Sequence, residues 1–291
     1  MNTAKVLVEG QNLLGEGPLW LEDRQQLFWV DILKNDVFRY DFSTENLQRF
    51  HYDKPITLLV RTDVPDKLIA AMPGGIAELS LADGTLGEVL SLEADVANNR
   101  TNDGGCDPHG RLWVGTMDRQ FKEGSGSLYM LEGGRFVPKV EQTTIANGLV
   151  WSPDGKIMYF IDSPKKTVQA YAYASTGDIT SLGAVVHIPE ILGGPDGMAI
   201  DEEGMLWVAH YGGYSVGRWN PHTGELLEKV DVPAPNVTAC TFGGPDRKTL
   251  FITTARQEMS DDQLRSYPLS GSVFCINTSV TGLNKGFVTK R

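Results

Sequence analysis

The sequence has few cysteines and no excess of basic residues, and both shortages exclude classes of protein. Its 291 residues include three cysteines, Cys106, Cys240 and Cys275, which lie far apart and form no CxxC pair. Neither a disulfide framework nor a zinc site is therefore indicated. Lys and Arg number 26 against 37 Asp and Glu, a formal net charge of -11. That charge repels polyanions and no basic run overrides it, so we expect no nucleic-acid partner.

Long hydrophobic runs are missing too. No apolar stretch approaches the ~20 residues that a membrane span needs, and the segment MNTAKVLVEG lacks the charged and apolar regions of a signal peptide. We expect a soluble, cytoplasmic protein without a membrane partner, either a monomer or a small homo-oligomer. Because 41% of the residues are hydrophobic, the chain can bury a large core, and one domain over 1–291 is expected.

A repeat of short apolar strands runs through the sequence. Its copies are LFWVD at 27, LIAAM at 68, LWVGT at 112, MYFID at 158, LWVAH at 206 and LFITT at 250. They begin 41, 44, 46, 48 and 44 residues apart, and a turn-forming sequence precedes each. A second strand-like run follows most copies, and helical periodicity is nearly absent. Six such units predict an all-β, six-bladed β-propeller whose four-stranded blades pack around a channel.

The segment AKVLVEG reads as a strand that precedes the first full unit. We therefore expect it to pair with the last blade and close the ring. A β-sandwich is the alternative fold, although six periodic units are difficult to fit into two stacked sheets.

Four polar side chains share one position in the repeat. When the turns are superposed without gaps, EGPLW, NDGGC, NGLVW and DGMAI align, which makes Glu16, Asn102, Asn147 and Asp196 equivalent. We expect them just before the first strands of the first, third, fourth and fifth blades, around one mouth of the channel. Their oxygens suit Ca²⁺ or Mg²⁺, and such sites also accept Zn²⁺, Mn²⁺ or Fe²⁺. The alternative is that these residues only mark turns, although Glu is poor in such turns.

Five segments carry motifs of a known family. They are LGEGPLW, NNRTNDGGCDPHGRLWVGTMD, NGLVWSPDG, PDGMAIDEEGMLWVA and VTACTFGGPDRKTLFITTA. From about Leu14 to Ile276 the chain resembles the SMP-30/regucalcin/gluconolactonase family, in particular its bacterial sugar lactonases. The resemblance implies a six-bladed propeller with one divalent metal ion in the channel. It also implies that Glu16, Asn147 and Asp196 are the metal ligands, that Asn102 lies by the metal or its water, and that Arg100 reaches for substrate.

This resemblance predicts a metal-dependent hydrolase that opens a sugar lactone. The substrate would be an aldono-1,4- or 1,5-lactone, such as gluconolactone or a pentonolactone, and the product the aldonic acid. Asp196 is the predicted general base, with the lactone carbonyl polarised by the metal. Two alternatives stay open, which are a non-catalytic or regulatory metal-binding propeller and a phosphotriesterase-like hydrolase that uses the same residues.

The sequence departs from the family pattern after GTM. Some members place an acidic, substrate-binding residue there, whereas this chain has Gln120, with Asp118 and Glu123 nearby. We keep Asp118 as a candidate substrate-binding residue and expect a different substrate preference. The segment 119–124 is interpreted either as a lid over the channel or as a solvated hairpin loop.

Three further signals favour structural roles. GYSVG matches the G-x-S-x-G nucleophile pattern but lacks its strand–turn–helix context, so Ser215 is expected to be structural. His210 follows a channel-side strand, and a hydrogen-bonded structural histidine is the favoured interpretation. Recurrence at matched positions predicts packing between blades for four tryptophans, Trp20, Trp113, Trp151 and Trp207.

Overall fold

Antiparallel strands make up most of the structure, a computed structural model that describes residues 2–284 and 286–289. Met1, Lys285, Lys290 and Arg291, which belong to the expected domain 1–291, lie outside the described residues. In the described part of the chain one short α-helix, α1 (Asp261–Ser266), accompanies the strands. Three single turns of 3₁₀ helix cover Ile32–Lys34, Ser163–Lys165 and Glu190–Leu192. The all-β prediction is confirmed.

The strands form units of four that are consecutive in sequence. The first strand, β1 (Lys5–Val8), precedes these units. The first unit comprises β2 (Gly15–Leu21), β3 (Gln26–Asp31), β4 (Asp36–Asp41) and β5 (Asn46–His51). The second comprises β6 (Leu58–Arg61), β7 (Lys67–Met72), β8 (Gly75–Ser80) and β9 (Leu90–Ser91).

The third and fourth units have the same order of strands. The third comprises β10 (Asn99–Cys106), β11 (Leu112–Asp118), β12 (Gly126–Glu132) and β13 (Arg135–Thr143). The fourth comprises β14 (Ala146–Trp151), β15 (Ile157–Asp162), β16 (Thr167–Tyr173) and β17 (Ile179–His187). In both units every neighbouring pair is antiparallel, as short connections require.

The remaining strands form one eight-stranded sheet that consists of two halves. Its first half holds β18 (Gly194–Ile200), β19 (Leu206–Tyr211), β20 (Ser215–Trp219) and β21 (Leu226–Asp231). Its second half holds β22 (Asn236–Gly243), β23 (Thr249–Ala255), β24 (Val273–Asn277) and β1. A single paired position, Tyr211 with Asn236, joins β19 to β22. The antiparallel pairing of β1 with β24 confirms that the N-terminal strand completes the last sheet.

The predicted repeat strands are the second strands of these units. LFWVD, LIAAM, LWVGT, MYFID, LWVAH and LFITT lie in β3, β7, β11, β15, β19 and β23. Most of their side chains are buried on both faces of the sheet, because each sheet packs between two others. Burial on both faces explains their nearly continuous apolar sequence.

The core consists of apolar layers between neighbouring sheets. Val30 and Leu68 belong to the layer between the first two units, and Trp113 and Phe160 to the layer between the third and fourth. The first strands β2, β6, β10, β14, β18 and β22 contact one another in that order, and β22 contacts β2. This arrangement is compatible with a β-propeller and differs from the two stacked sheets of a sandwich. No helix in the described ranges has the length and apolar character needed to cross a membrane.

The segment after β24 crosses the end of the channel at which the first strands finish. Gly282 bridges to Asp201 and Val288 bridges to Thr62, so the segment reaches from the fifth unit to the second. A cavity of about 440 Å³ lies against Leu283 of this segment, with walls that include Leu149 and Met198. The opposite end of the channel, where the first strands begin, holds the predicted site.

Candidate metal centre and substrate site

The four predicted side chains occupy the same position in their sheets. Trp20, Cys106, Trp151 and Ile200 each pair with the first residue of the matching repeat strand, at Leu27, Leu112, Met158 and Leu206. Glu16, Asn102, Asn147 and Asp196 each lie four residues earlier, on β2, β10, β14 and β18. The strand register therefore confirms the equivalence that the gap-free superposition predicted.

The predicted placement just before the first strands was wrong. All four residues lie inside their strands, next to an interruption of the pairing. Asn102, Asn147 and Asp196 directly follow the last pair before the interruption, and Glu16 belongs to the last pair before the interruption in β2. The Asn-Gly and Asp-Gly sequences thus form bulges rather than turns before a strand. A bulge turns side chains away from the regular alternation and is common beside functional sites.

Asn102 and Asn147 are bonded to each other across two units. The Nδ2 of Asn102 donates to Oδ1 of Asn147 at 3.1 Å and to the carbonyl oxygen of Ala146 at 2.8 Å. The Nδ2 of Asn147 donates to Oγ of Ser163 at 2.8 Å, which fixes the orientation of this amide. Asn147 Oδ1 therefore faces the neighbouring unit instead of its own backbone. The turn-marker interpretation does not account for these cross-strand bonds.

The two carboxylates of the ring are close enough to oppose each other's ionisation. Burial and then the charge of Asp103 raise the pKa of Glu16 to about 8, although the Gly17 N–H and Arg100 act against that shift. Burial, Glu16 and Asp103 raise the pKa of Asp196 well above its ordinary value. A bound cation would stabilise the ionised carboxylates, because its positive charge offsets both their desolvation and their mutual repulsion.

Arg100 is the basic residue of this cluster. Its Nη1 donates to Oδ1 of Asn102 at 2.6 Å and to the carbonyl oxygen of Thr101 at 3.0 Å. Burial and the charge of Arg119 lower the pKa of Arg100 to about 10, while Glu16 and Asp196 act in the opposite direction. Arg100 is thus held beside both carboxylates by Asn102. Both amide hydrogens of Asn102 are used by Asn147 and Ala146, so Asn102 mainly positions its neighbours.

Asp103 is a member of the site that the sequence reasoning missed. Its charge acts on Glu16 and on Asp196, and it lines the channel cavity. In a regular strand Asp103 would face away from its neighbour Asn102, but the pairing is interrupted between Thr101 and Gly104. The superposition of the repeats gave one site residue for each unit, so it could not identify Asp103 as a second site residue in the third unit. The signal was present as a carboxylate directly after Asn102.

The two remaining positions of the ring are threonines. Register places Thr57 and Thr238 at the matching points of the second and sixth units. The Oγ1 of Thr57 lies 2.6 Å from Oγ1 of Thr101, and the Oγ1 of Thr238 donates to the carbonyl oxygen of Gly15 at 2.5 Å. Both hydroxyls therefore tie first strands together. The acidic and carboxamide side chains of the ring therefore lie on the other four units.

Asp118 has a different environment from the ring residues. It is buried at the end of β11, and its Oδ1 accepts from the backbone N–H of Gln120 at 2.7 Å and of Lys122 at 3.5 Å. These bonds hold the exposed turn 119–123 in place. The geometry gives Asp118 a loop-capping contact, and its predicted contact with substrate stays a prediction.

The oxygen donors of the ring fit a divalent cation. Among residues 2–284 and 286–289 no three His, Cys, Asp or Glu side chains form a metal-binding group. A cation here would therefore need a further donor beside the carboxylates of Glu16 and Asp196, and the carboxamide oxygen of Asn147 can supply it. Two carboxylates and one amide oxygen form a ligand set that hard divalent cations accept. The raised pKa values of both carboxyls agree with a site built to receive positive charge.

His210 and Ser215 have structural roles, as predicted. His210 is fully buried, its Nδ1 lies 3.0 Å from Oγ of Ser215, and its Nε2 accepts from the indole N–H of Trp219 at 3.3 Å. Ser215 donates onward to the carbonyl oxygen of Gly213 at 2.9 Å. Burial lowers the pKa of His210 to about 4, which keeps the ring neutral. This chain of hydrogen bonds leaves Ser215 without the exposure that a nucleophile requires.

The tryptophans pack between units, which confirms that prediction. The rings of Trp113 and Trp151, from the third and fourth units, lie 5.9 Å apart in an edge arrangement. Trp207 contacts Phe242 at 5.5 Å and Trp20 stacks on Phe251 at 5.4 Å, each across a boundary between units. These contacts stabilise the interfaces between neighbouring sheets.

Comparison with known proteins finds a matching family model and relatives that are similar over most of the chain. Residues 14–256 match the family model described as "SMP-30/Gluconolactonase/LRE-like region". The "Putative sugar lactone lactonase YvrE" of Bacillus subtilis (strain 168) is 35% identical over 272 residues, 93% of each chain. Regucalcin of Oryctolagus cuniculus is 37% identical over 276 residues, 92% of this chain and 91% of the relative.

A solved structure gives the same result for the fold. The calcium-binding protein regucalcin of Agrobacterium tumefaciens strain C58 superposes with a TM-score of 0.93 at 29% identity. The match covers 98% of this chain and 97% of that one. Similarity thus extends over nearly the whole chain.

Proposed function

Because the chain belongs to the SMP-30/gluconolactonase/LRE-like family, we propose that it is a metal-dependent lactonase. Its substrate is a sugar lactone, an aldono-1,4- or 1,5-lactone such as gluconolactone or a pentonolactone, and its product is the aldonic acid. The relative from Bacillus subtilis, which is of similar length, is named a putative sugar lactone lactonase, and this supports the proposal. The formal net charge of -11 agrees with a small-molecule substrate rather than a nucleic acid. A cytoplasmic location and a monomeric or small homo-oligomeric state stay predictions.

We assign the fold as a six-bladed propeller. Six first strands that contact one another in a closed cycle support this count. Six apolar clusters support it as well, since each lies between two successive units and the last joins Phe251 of the sixth unit to Trp29 of the first. In this arrangement the beginnings of all first strands meet around the channel axis. That geometry brings together residues that are 180 positions apart in sequence, Glu16 and Asp196.

The observation that carries the proposal is the shared register of Glu16, Asn147 and Asp196, together with the raised pKa of the two carboxyls among them. We infer that these three residues hold one divalent cation, which is Ca²⁺, Mg²⁺, Zn²⁺, Mn²⁺ or Fe²⁺. Asn102 supports the site by donating to Oδ1 of Asn147. A second residue that orients a ligand in this way is a regular feature of protein metal sites.

When bound, a divalent cation polarises the lactone carbonyl and stabilises the negative charge that develops on its oxygen. Asp196 takes a proton from the attacking water as the water oxygen bonds to the carbonyl carbon. The bond from that carbon to the ring oxygen then breaks, and the proton passes to the ring oxygen as it becomes a hydroxyl. The products are the aldonic acid and, after ionisation, its carboxylate.

Arg100 binds the sugar in this scheme. Its guanidinium is fixed by Asn102 and Thr101 through one nitrogen, which leaves its other N–H groups for substrate hydroxyls or an anionic group. Asn102 has one free lone pair on Oδ1 and serves mainly as a positioning residue. Asp118 remains a candidate substrate-binding residue, beside the loop that it caps.

Acid release from a lactone panel tests the proposal. Gluconolactone and a pentonolactone are each incubated with the protein, with and without a chelator, and the rate is compared with spontaneous opening. Release above the spontaneous rate that the chelator abolishes is expected. The Glu16→Gln variant should lose it, whereas Asp154→Asn, an exposed turn residue, should keep it. Metal binding without turnover on any lactone would favour a binding propeller, and turnover of a phosphotriester alone would favour the phosphotriesterase-like alternative.

A further inference from the structure

Arg100 and Arg119 lie on the same face of the third sheet. Arg100 pairs with Met117 between β10 and β11, and the ladder ends with Asn99 opposite Asp118. The backbone N–H of Arg119 donates to the carbonyl oxygen of Asn98 at 2.9 Å. The antiparallel pairing of the two segments therefore extends one residue beyond Asp118. Arg119 is therefore the diagonal neighbour of Arg100. Diagonal neighbours are about 7–8 Å apart, within the reach of two long side chains.

Both guanidiniums lack a bonded carboxylate in the described part of the chain. Arg100 bonds only to Asn102 and Thr101 among those residues. Arg119 is exposed, and the ion pairs of residues 2–284 and 286–289 do not include it. The charge of Arg119 lowers the pKa of Arg100, and burial of Arg100 lowers it too. Two like charges held together in this way favour an anion between them.

The charge balance of the site agrees with an anionic ligand. Glu16 and Asp196 lie beside Arg100, and Asp196 is buried, whereas Arg119 is exposed. Two carboxylates and two guanidiniums sum to zero charge, and a bound divalent cation would make this group of side chains positive. The surplus positive charge lies on the solvent side, at Arg119. A substrate that reaches from the carboxylates to Arg119 therefore meets positive charge at its outer end.

We propose that Arg100 and Arg119 together bind an anionic group of the substrate, so that the preferred lactones carry a carboxylate or a phosphate at the end remote from the lactone carbonyl. The inference rests on the proposed lactonase function, for which Asp196 and the metal ligands act at the carbonyl. Guanidinium groups bind carboxylate and phosphate through paired N–H donors. Hydrolysis then adds one carboxylate charge to a lactone that is already negatively charged.

Substrate selectivity of two matched variants tests this inference. The metal-loaded protein is assayed with neutral gluconolactone, with a glucarolactone that carries a carboxylate, and with 6-phosphogluconolactone. We expect kcat/KM to be at least about tenfold higher for one anionic lactone than for the neutral one. Arg119→Gln should lower that ratio about 10- to 100-fold, mainly through KM, since a charged hydrogen-bond donor is lost. Lys122→Gln, which removes one charge from the same exposed loop, should leave the ratio unchanged.

A binding measurement separates this inference from the lactonase proposal. Calorimetric titration with gluconate, glucarate and 6-phosphogluconate, with and without metal, should show tighter binding of glucarate or 6-phosphogluconate than of gluconate, and Arg119→Gln should abolish that difference. Equal binding of all three acids, or equal loss for neutral and anionic lactones in Arg119→Gln, would overturn the inference and leave lactone hydrolysis intact. If no lactone is opened, the lactonase proposal fails and the titration alone decides on the anion site. The faster of the two anionic lactones identifies the group as carboxylate or phosphate.

Discussion

The Nδ2 of Asn102 donates to Oδ1 of Asn147 over 3.1 Å and so connects the third unit of the fold to the fourth. The same Asn102 accepts from Nη1 of Arg100 at 2.6 Å. One amide therefore orients both a proposed metal ligand and the half-buried guanidinium beside it. In the proposed metal site this bond orients the ligand oxygen of Asn147, a role that second residues commonly have in protein metal sites.

Asn102→Ala should weaken divalent metal binding about 10- to 100-fold, since Asn147 loses the donor that fixes its oxygen. Calorimetric titration of the metal-free protein with Mn²⁺ or Ca²⁺ measures the loss. Asn98→Ala is the matched control, because Asn98 is exposed on the same segment and contributes a backbone oxygen. Equal affinity in Asn102→Ala and Asn98→Ala would show that the amide bond has no part in metal binding.

Asp196→Asn should lower kcat on any lactone that the protein opens by at least about 100-fold, because an amide cannot take the proton of the attacking water. Steady-state kinetics at saturating metal checks the rate, and circular dichroism checks that the fold is retained. Asp196→Ala should give the same loss. A variant with more than about a tenth of the original rate would rule out a general base at this position.

Metal-free protein should become less stable as the pH rises from about 4.5 to about 8. The pKa of Glu16 is 4.5 ordinarily and about 8 in the folded chain, so across this range the folded state holds a proton that the unfolded chain has released. Stability falls wherever the folded state binds more protons, and it levels off above the folded pKa. The raised pKa of Asp196 acts in the same direction. Thermal unfolding in the presence of a chelator measures the trend.

Two additions make this pH experiment specific. Glu16→Gln should flatten the fall in Tm, because the substituted amide does not titrate. A saturating divalent cation should raise Tm more at pH 8 than at pH 5, since the cation and the proton compete for the same carboxylates. A Tm that increases across the range in the metal-free, unsubstituted protein would contradict the assigned direction.

Trp113→Phe should lower the free energy of unfolding by about 1–3 kcal/mol more than Trp151→Phe does. The indole N–H of Trp113 donates to Oδ2 of buried Asp107 at 2.9 Å, whereas that of Trp151 has no partner among the described residues. Both rings lie in the same layer and lose the same volume, so the difference isolates the hydrogen bond. Urea unfolding at constant m measures it, and equal losses would assign the whole effect to packing.

The sequence was sufficient for the repeat and for the position of the ring residues. Apolar strands buried on both faces give a continuous signal, and so LFWVD and its equivalents were found at β3, β7, β11, β15, β19 and β23. The equivalence of Glu16, Asn147 and Asp196 followed because each lies four residues before the first-strand residue that pairs with the start of the repeat strand.

Features that depend on local irregularity or on distant contacts were not predicted. Asp103 joins the site only because a bulge interrupts β10, and a bulge looks like a turn in the sequence. The helix α1 has a capping box from Ser260 to Gln263 that its sequence could have revealed. The path of the C-terminal segment across the channel depends on backbone bonds such as that from Val288 to Arg61, which carry no side-chain signal.

Anomalous diffraction from crystals grown with Mn²⁺ tests the central claim most directly. The account predicts one ion in the channel, with one oxygen each of Glu16, Asn147 and Asp196 about 2.0–2.6 Å from it. An ion bound elsewhere in the chain, or these three oxygens too far apart to share one ion, would contradict it.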